Sequence, residues 1–315
     1  MAALTFEGGA LAVLSVIVTL VPVFLPVEGF FLTIIAPFPL IVLAVKYPWC
    51  QALSVAMLEA AGLLLFGGVE VLVFFGQYGL VPLVMAWAIR QRYALAPTVL
   101  WSIGIPLGAG SVLLIVYGAM VQQSPYLLLT HHLDHMLGAL QEHFRGMTQT
   151  GDIDREQLHV LTEVIPQLLH TIFPALVVIN HLLTNVANYV LVRYYCAHSR
   201  PPIGLPPADL ACWRASDYLV WVFLGSGAAL LIPVPAISII GLNVFLVTLT
   251  LYLLQGFAIA VFWGRRLPLP LGVRWLLGLM LFLLAGPLCV GLCITAGLFD
   301  LWIDFRRQRG QPLVS

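Results

Sequence analysis

The sequence predicts an all-α fold, a polytopic transmembrane helical bundle of about eight or nine spans. Two observations carry that expectation. Of 315 residues, 61% are hydrophobic and 9% are charged. Soluble globular chains hold about 45–50% apolar and about 25% charged residues, so this chain lacks the polar surface to face water on its own. The stretches free of Asp, Glu, Lys and Arg also recur at about the 20 residues that an apolar helix needs to cross a bilayer core. Lipid is therefore the expected surrounding, and a soluble enzyme domain is excluded. The 14 acidic and 14 basic residues cancel, which removes the electrostatic basis for binding nucleic-acid phosphates. Five cysteines without CxxC or finger spacing indicate neither a disulfide framework nor a zinc site.

The first apolar run covers residues 8–27, and only Glu7 carries charge ahead of it, so it does not read as a secretory signal with a basic head. The second runs from Phe30 to Lys46, before Tyr47-Pro48, and Pro37 and Pro39 predict an irregular or partly re-entrant start. Further spans are expected at 50–66 and 71–89, the latter closed by Arg90 and Arg92, and from Leu95 to Met120. The large polar segment 121–165 follows, then a sixth span from Phe173 to Tyr195. Residues 1–199 thus form a six-helix front half. A Pro-rich linker, 200–216, opening Arg200-Pro-Pro-Ile-Gly-Leu-Pro-Pro207, separates it from carboxyl-terminal helices in 217–315. There the 47 uncharged residues 218–264 are divided by Pro233-Val-Pro235 into a seventh and an eighth span. The last run, 275–299, crosses once or folds as a hairpin at Gly286-Pro287.

Cytoplasmic loops accumulate Lys and Arg. With nine simple spans, Lys46, Arg90, Arg92, Arg193, Arg200, Arg214, Arg265, Arg266 and Arg274 fall on the amino-terminal side, against Arg145, Arg155, Arg306, Arg307 and Arg309 opposite. A cytoplasmic amino terminus is the expectation, and a terminal hairpin would strengthen the asymmetry.

Ionisable groups at membrane depth cost at least about 2.5 to 3.5 kcal/mol near a helix centre, so they are paired, hydrated or functional. Glu59 is the clearest case: it is either a substrate or proton contact or a structural hydrogen bond to another helix, and its number of partners decides. In the sixth span His170, His181, Thr184, Asn185 and Asn188 recur at helical offsets, which puts a polar stripe on one face. Such a stripe lines a ligand cavity or glues helices at about 0.6 to 2 kcal/mol per bond; the first reading suits His170, the second Asn188. Gln77, Tyr78, Asn180, Asn243 and Gln255 are lesser ligand candidates.

Within the polar segment, Leu129, Leu133, Met136, Leu137, Leu140 and Phe144 recur at helical spacing, as in an amphipathic helix on the membrane surface. His131 and His135 stand one turn apart, a metal-competent spacing to which Asp134 or Glu142 could add an oxygen; solvated histidines are the alternative. His181-Leu-Leu-Thr-Asn185 has the HxxxN spacing of CAAX-type intramembrane proteases, but no Glu-Glu pair accompanies it. No Gly-x-Ser-x-Gly elbow or Walker loop occurs either, so no enzyme activity or cofactor is expected. Asp300, Asp304 and Arg307 read as intrahelical ion pairs at an interfacial helix end.

Gly241-Leu-Asn243, Leu251-Tyr252-Leu-Leu-Gln255-Gly256 and Gly297-Leu-Phe-Asp300-Leu-Trp302-Ile-Asp304-Phe-Arg306 resemble the YybS-like family of bacterial inner-membrane proteins. The layout of residues 8–197 is similar to the substrate-binding S component of energy-coupling-factor transporters: a small-residue first helix, a Pro-led second, Arg-Gln-Arg after the fourth and a sixth opening at Pro174. In the first helix Gly8, Ala12, Ser15 and Thr19 share a face suited to close packing. The S-component resemblance implies that this face meets a coupling membrane subunit with ATPases, and that a pocket lies among helices four to six. The expected function is an inner-membrane subunit that captures a small solute; the alternative is a non-catalytic scaffold. A transporter predicts a pocket of roughly 300–1,000 Å³ with convergent polar groups, and a scaffold predicts polar residues sealed by packing.

Overall fold

The computed structural model describes residues 6–24, 32–67, 79–125, 127–128, 130, 133, 137–138, 160–199, 205 and 210–306. Among them there is no strand, and the chain is a helical membrane bundle. Four helices are long and apolar enough to cross a bilayer, and several shorter apolar helices accompany them. The chain divides into two units: residues 1–173 with 180–207, and residues 174–179 with 208–315.

The first unit holds α1 (Phe6–Phe24), α2 (Pro37–Lys46), α3 (Trp49–Gly67), α4 (Leu80–Arg90), α5 (Leu95–Val121) and most of α6 (Ile165–His198). Its centre is the shortest of these helices. Leu40 to Ala44 of α2 are at most 1% exposed, and α2 packs against α1, α3 and α4. Pro37 and Pro39 lack N–H groups, but Ala36 keeps helical angles (φ −54°, ψ −39°) and its N–H reaches the Leu32 carbonyl at 2.9 Å, so α2 continues a helix from Leu32 rather than the irregular or re-entrant start expected. Tyr47 is extended ahead of Pro48, which separates α2 from α3. The 27-residue α5 buries Leu95, Thr98, Ser102, Pro106 and Gly110 along one stripe against α4, and ends where Gln122 turns left-handed. Its other faces carry exposed Leu100, Val112, Ile115 and Met120, an apolar surface suited to lipid. A π turn at Val160–Val164 leads into α6.

In the second unit a short 3-10 turn (Leu210–Cys212) precedes α7 (Leu219–Ala229), α8 (Pro235–Gly264) and α9 (Leu271–Ile303). Val234 is extended ahead of Pro235, so the Pro-Val-Pro element divides α7 from α8 where the sequence placed the boundary. Gly241 lets the two pack: a Cβ there would stand 2.8 Å from the Ala229 Cβ. Asn243 Oδ1 accepts from the Ala175 N–H at 2.8 Å, beside Pro174, where α6 lacks a backbone donor. In α9 the chain bends sharply at Ala285 (φ −139°, ψ 39°), next to Gly286-Pro287. Cys289 Sγ lies 3.6 Å from the Leu281 carbonyl, eight residues back, although a straight helix would rise about 12 Å over that interval. The arm before the bend, residues 271–284, is shorter than a spanning helix requires. The arm after it packs antiparallel to α8, with Cys293 at Gly256 and Gly297 at Tyr252.

Candidate functional site

On α6, His181, Thr184, Asn185 and Asn188 are all buried at positions i, i+3, i+4 and i+7, so they share one face. Asn188 Nδ2 donates to the Ile34 carbonyl at 2.6 Å and to the Thr184 carbonyl at 2.7 Å, and Asn185 Nδ2 donates to the His181 carbonyl at 2.7 Å. These bonds fix each amide's orientation, since flipping it would set oxygen against oxygen. Both Oδ1 atoms are buried, and among the described residues neither accepts a hydrogen bond. Leaving a buried acceptor unmatched costs about 1–3 kcal/mol. Ile34 belongs to the apolar stretch Leu32–Lys46, just before Pro37. Because Pro39 cannot donate, the Ile35 carbonyl loses its usual i+4 donor. The helix leading into α2 therefore meets the polar face of α6 at Asn188.

Glu59 sits on α3 at 2% exposure. Ser15 Oγ of α1 donates to its Oε1 at 2.5 Å. That bond makes Glu59 part of the α1–α3 contact. Replacing Ser15 with alanine is expected to destabilise the protein by about 1–3 kcal/mol, because the carboxyl loses a donor it cannot replace with water; thermal unfolding in detergent measures it.

At one end of the first unit, Glu7 Oε1 accepts from Lys46 Nζ at 2.6 Å and from the Tyr195 hydroxyl, while Tyr47 reaches Oε2 at 3.5 Å. Arg90 donates to the Tyr47 carbonyl and lies over the Trp49 ring. The start of α1 and the ends of α2, α4 and α6 are thereby gathered at one end, together with Lys46 and Arg90.

In the second unit Asp300 is fully buried, and its carboxylate is saturated. Oδ2 accepts from Arg306 Nη2 at 2.5 Å and from Gln255 Nε2 at 2.9 Å, and Oδ1 accepts from the Phe305 N–H at 3.0 Å. Arg306 Nη1 continues to the carbonyls of Ala211 and Trp213, and Gln255 Oε1 accepts from the Ala215 N–H. Sequence reasoning did not single out Arg306 as a partner; Arg307, the expected partner of Asp300 and Asp304, lies outside the described residues. Asp304 adopts a left-handed φ of 48°, the chain turns back there, and Arg306 is delivered to Asp300.

The family model for predicted membrane proteins, DUF2232, matches residues 13–301. The chain belongs to that family. No curated protein and no solved structure matches it. The stretch shared with the family runs from α1 to α9 and includes Glu59, the α6 stripe and Asp300, but ends before Arg306.

Of the residues singled out in the sequence, Gln77, Tyr78, His131 and His135 lie outside the described residues. The described residues contain no cluster of three or more His, Cys, Asp or Glu side chains fit for a metal. His170 and Asn180 are half-buried on α6, while His181 and Asn185 are fully buried. Gly8 and Ser15 are buried inside the first unit, with Ala12 and Thr19 half-buried. A groove of about 380 Å³ between α7 and α8 is lined by Val222, Ser226, Gly241 and Val244 among others. Its serine is already bonded to the Phe223 carbonyl, so this groove lacks convergent polar groups. Sequence reasoning missed the Glu7–Lys46 pair, although the only lysine at the end of one helix and an acid at the start of its neighbour were available as a signal.

Proposed function

We propose that this protein is an inner-membrane subunit that captures a small solute, with the buried polar face of α6 as its binding element. One observation carries the reading: the Asn185 and Asn188 amide oxygens are buried and unmatched among the described residues, where helix glue would have closed every bond. Lys46 and Arg90 gather at the end where α1 begins, which supports a cytoplasmic amino terminus. The S-component-like front half makes a coupling membrane subunit with ATPases the proposed partner. Ser15 is engaged with Glu59, so that partner would use a surface other than the inward part of the α1 small-residue face. The protein acts by binding, without catalysis or a cofactor.

A scaffold is the second reading, and the closed networks of Glu59 and Asp300 favour it. Two measurements separate the readings. The purified protein in mild detergent is screened for thermal stabilisation by amino acids, nucleosides and water-soluble vitamins, and a native-level pull-down is examined by mass spectrometry. Solute capture predicts at least one stabilising compound whose effect is lost in Asn185→Leu, and recovery of a coupling subunit with ATPases. No stabilising compound, with recovery alone or with envelope machinery, supports the scaffold.

A further inference from the structure

We propose that the turn between α8 and α9 holds the headgroup of an anionic phospholipid, with Arg266 and Arg274 donating to its phosphate. The turn follows Gly264, where one of the helices long enough to cross a bilayer ends, so it lies in the headgroup region rather than in hydrocarbon. Apolar surface flanks it on both sides: Trp263 is 49% exposed at the end of α8, and Trp275 is 60% exposed near the start of α9. Exposed indole rings at helix ends are features of the membrane boundary. Between them Arg265, Arg266 and Arg274 bring three positive charges, and the sequence holds no Asp or Glu from Asp217 to Asp300. Those two bounding acids are engaged by Arg214 and Arg306.

The guanidinium groups are held in place. Pro268 and Pro270 bring no N–H groups to the turn, and Arg274 supplies donors from α9: its Nε donates to the Leu269 carbonyl at 2.7 Å and its Nη1 to the Arg265 carbonyl at 3.2 Å. Its Nη2 has no acceptor among the described residues. The Arg266 guanidinium lies 4.4 Å from the centre of the Phe262 ring and 4.6 Å from that of Trp263, and none of its N–H groups has an acceptor among the described residues. Ring contact orients a guanidinium without spending its N–H groups on oxygen, and the planar fork matches two phosphate oxygens. An acidic protein segment would answer the charge alone. A phospholipid answers charge and flanks together, with its phosphate on the arginines and its acyl chains along the apolar sides. Net negative charge is required because a zwitterionic headgroup would add a cation to a turn that already holds three.

The test uses the full chain, delipidated in neutral detergent and titrated with phosphatidylglycerol or phosphatidylcholine of identical acyl chains; native mass spectrometry counts bound lipid and thermal unfolding follows the midpoint. The expected result is saturable binding and a raised midpoint with phosphatidylglycerol, at several-fold higher affinity than phosphatidylcholine. Arg266→Gln should weaken phosphatidylglycerol binding about fivefold, the worth of one basic residue at a membrane surface. Arg92→Gln, which removes an exposed arginine of the first unit, should leave it unchanged. Equal affinity for the two lipids overturns the proposal, as does equal phosphatidylglycerol affinity in wild type and Arg266→Gln. An equal loss in Arg92→Gln means attraction by bulk charge and overturns it too. Inorganic phosphate that reproduces the stabilisation would assign the arginines to a free anion, and a poly-glutamate peptide that does so would assign them to an acidic protein; either result sinks the lipid. If Arg266→Gln does not fold, salt decides: phosphatidylglycerol affinity that is the same at low and high NaCl overturns the proposal. Every outcome is independent of solute capture at α6.

Discussion

Replacing Asp300 with leucine is expected to cost about 3–5 kcal/mol of stability, the range for breaking a buried ion pair by removing one partner. The carboxylate is fully buried and receives Arg306, Gln255 and the Phe305 N–H. Leucine would leave the guanidinium, whose side chain is 11% exposed, beside an apolar group. Arg306→Met should cost a comparable amount by stranding the carboxylate. The double variant should be less destabilised than the sum of the two, because each single change includes the penalty of the partner left behind. Gln255→Leu removes a neutral donor and is expected to cost about half as much or less. Unfolding curves of the four variants and wild type in one detergent give the comparison. Single variants within about 0.5 kcal/mol of wild type would mean that water reaches Asp300 and that the network is not a buried one.

How much of this was legible in the sequence depends on the range of the interaction. Helical membrane character and several helix ends were legible because apolar runs, Pro48, Pro233 and Pro235 act on each segment separately; the number of spans was not, since four of the described helices are long and apolar enough to cross. The importance of Glu59 was legible for the same reason, since a carboxyl in an apolar run needs a partner wherever the run lies. That the partner is Ser15 depends on the rotation of α1 against α3, which helical periodicity alone does not fix. Asp300 shows the limit most directly. Intrahelical spacing, three residues from Asp304 and seven from Asp300, points to Arg307, which lies outside the described residues, and gives no reason to consider Arg306. The left-handed turn at Asp304 ends the helix and brings Arg306 back to Asp300. In α6 the periodicity placed the polar stripe correctly. The contact of Asn188 with Ile34, which leaves its oxygen without a donor, spans 154 residues of sequence and has no local signature.

Introducing a methyl group at Gly256 or Gly297 is expected to destabilise the protein by about 1–3 kcal/mol or more, as overpacking does in a closed interface. A Cβ on Gly256 would stand 1.8 Å from the Cys293 carbonyl oxygen, and one on Gly297 would stand 2.0 Å from the Tyr252 carbonyl oxygen. Both obstacles are backbone, so no side-chain rotation relieves them. The two helices must separate, and the dispersion contacts along the whole crossing weaken with them. Gly278→Ala provides the control of opposite sign: nothing lies within 4 Å of its Cβ position, so alanine is expected to be neutral or stabilising by up to about 1 kcal/mol through helix propensity. Because Gly256 and Gly297 serve the same contact, the double variant should lose less than the two single losses combined; once the helices have moved apart, the second methyl group meets little. Thermal unfolding of the three single variants and the double tests the pattern, and equal effects at Gly278 and Gly297 would contradict a close α8–α9 crossing. Gln255 and Asp300 lie at this crossing, beside the two glycines in sequence. Separating the backbones would therefore also lengthen the 2.9 Å bond between them, so the glycine and Asp300 substitutions should be non-additive with each other.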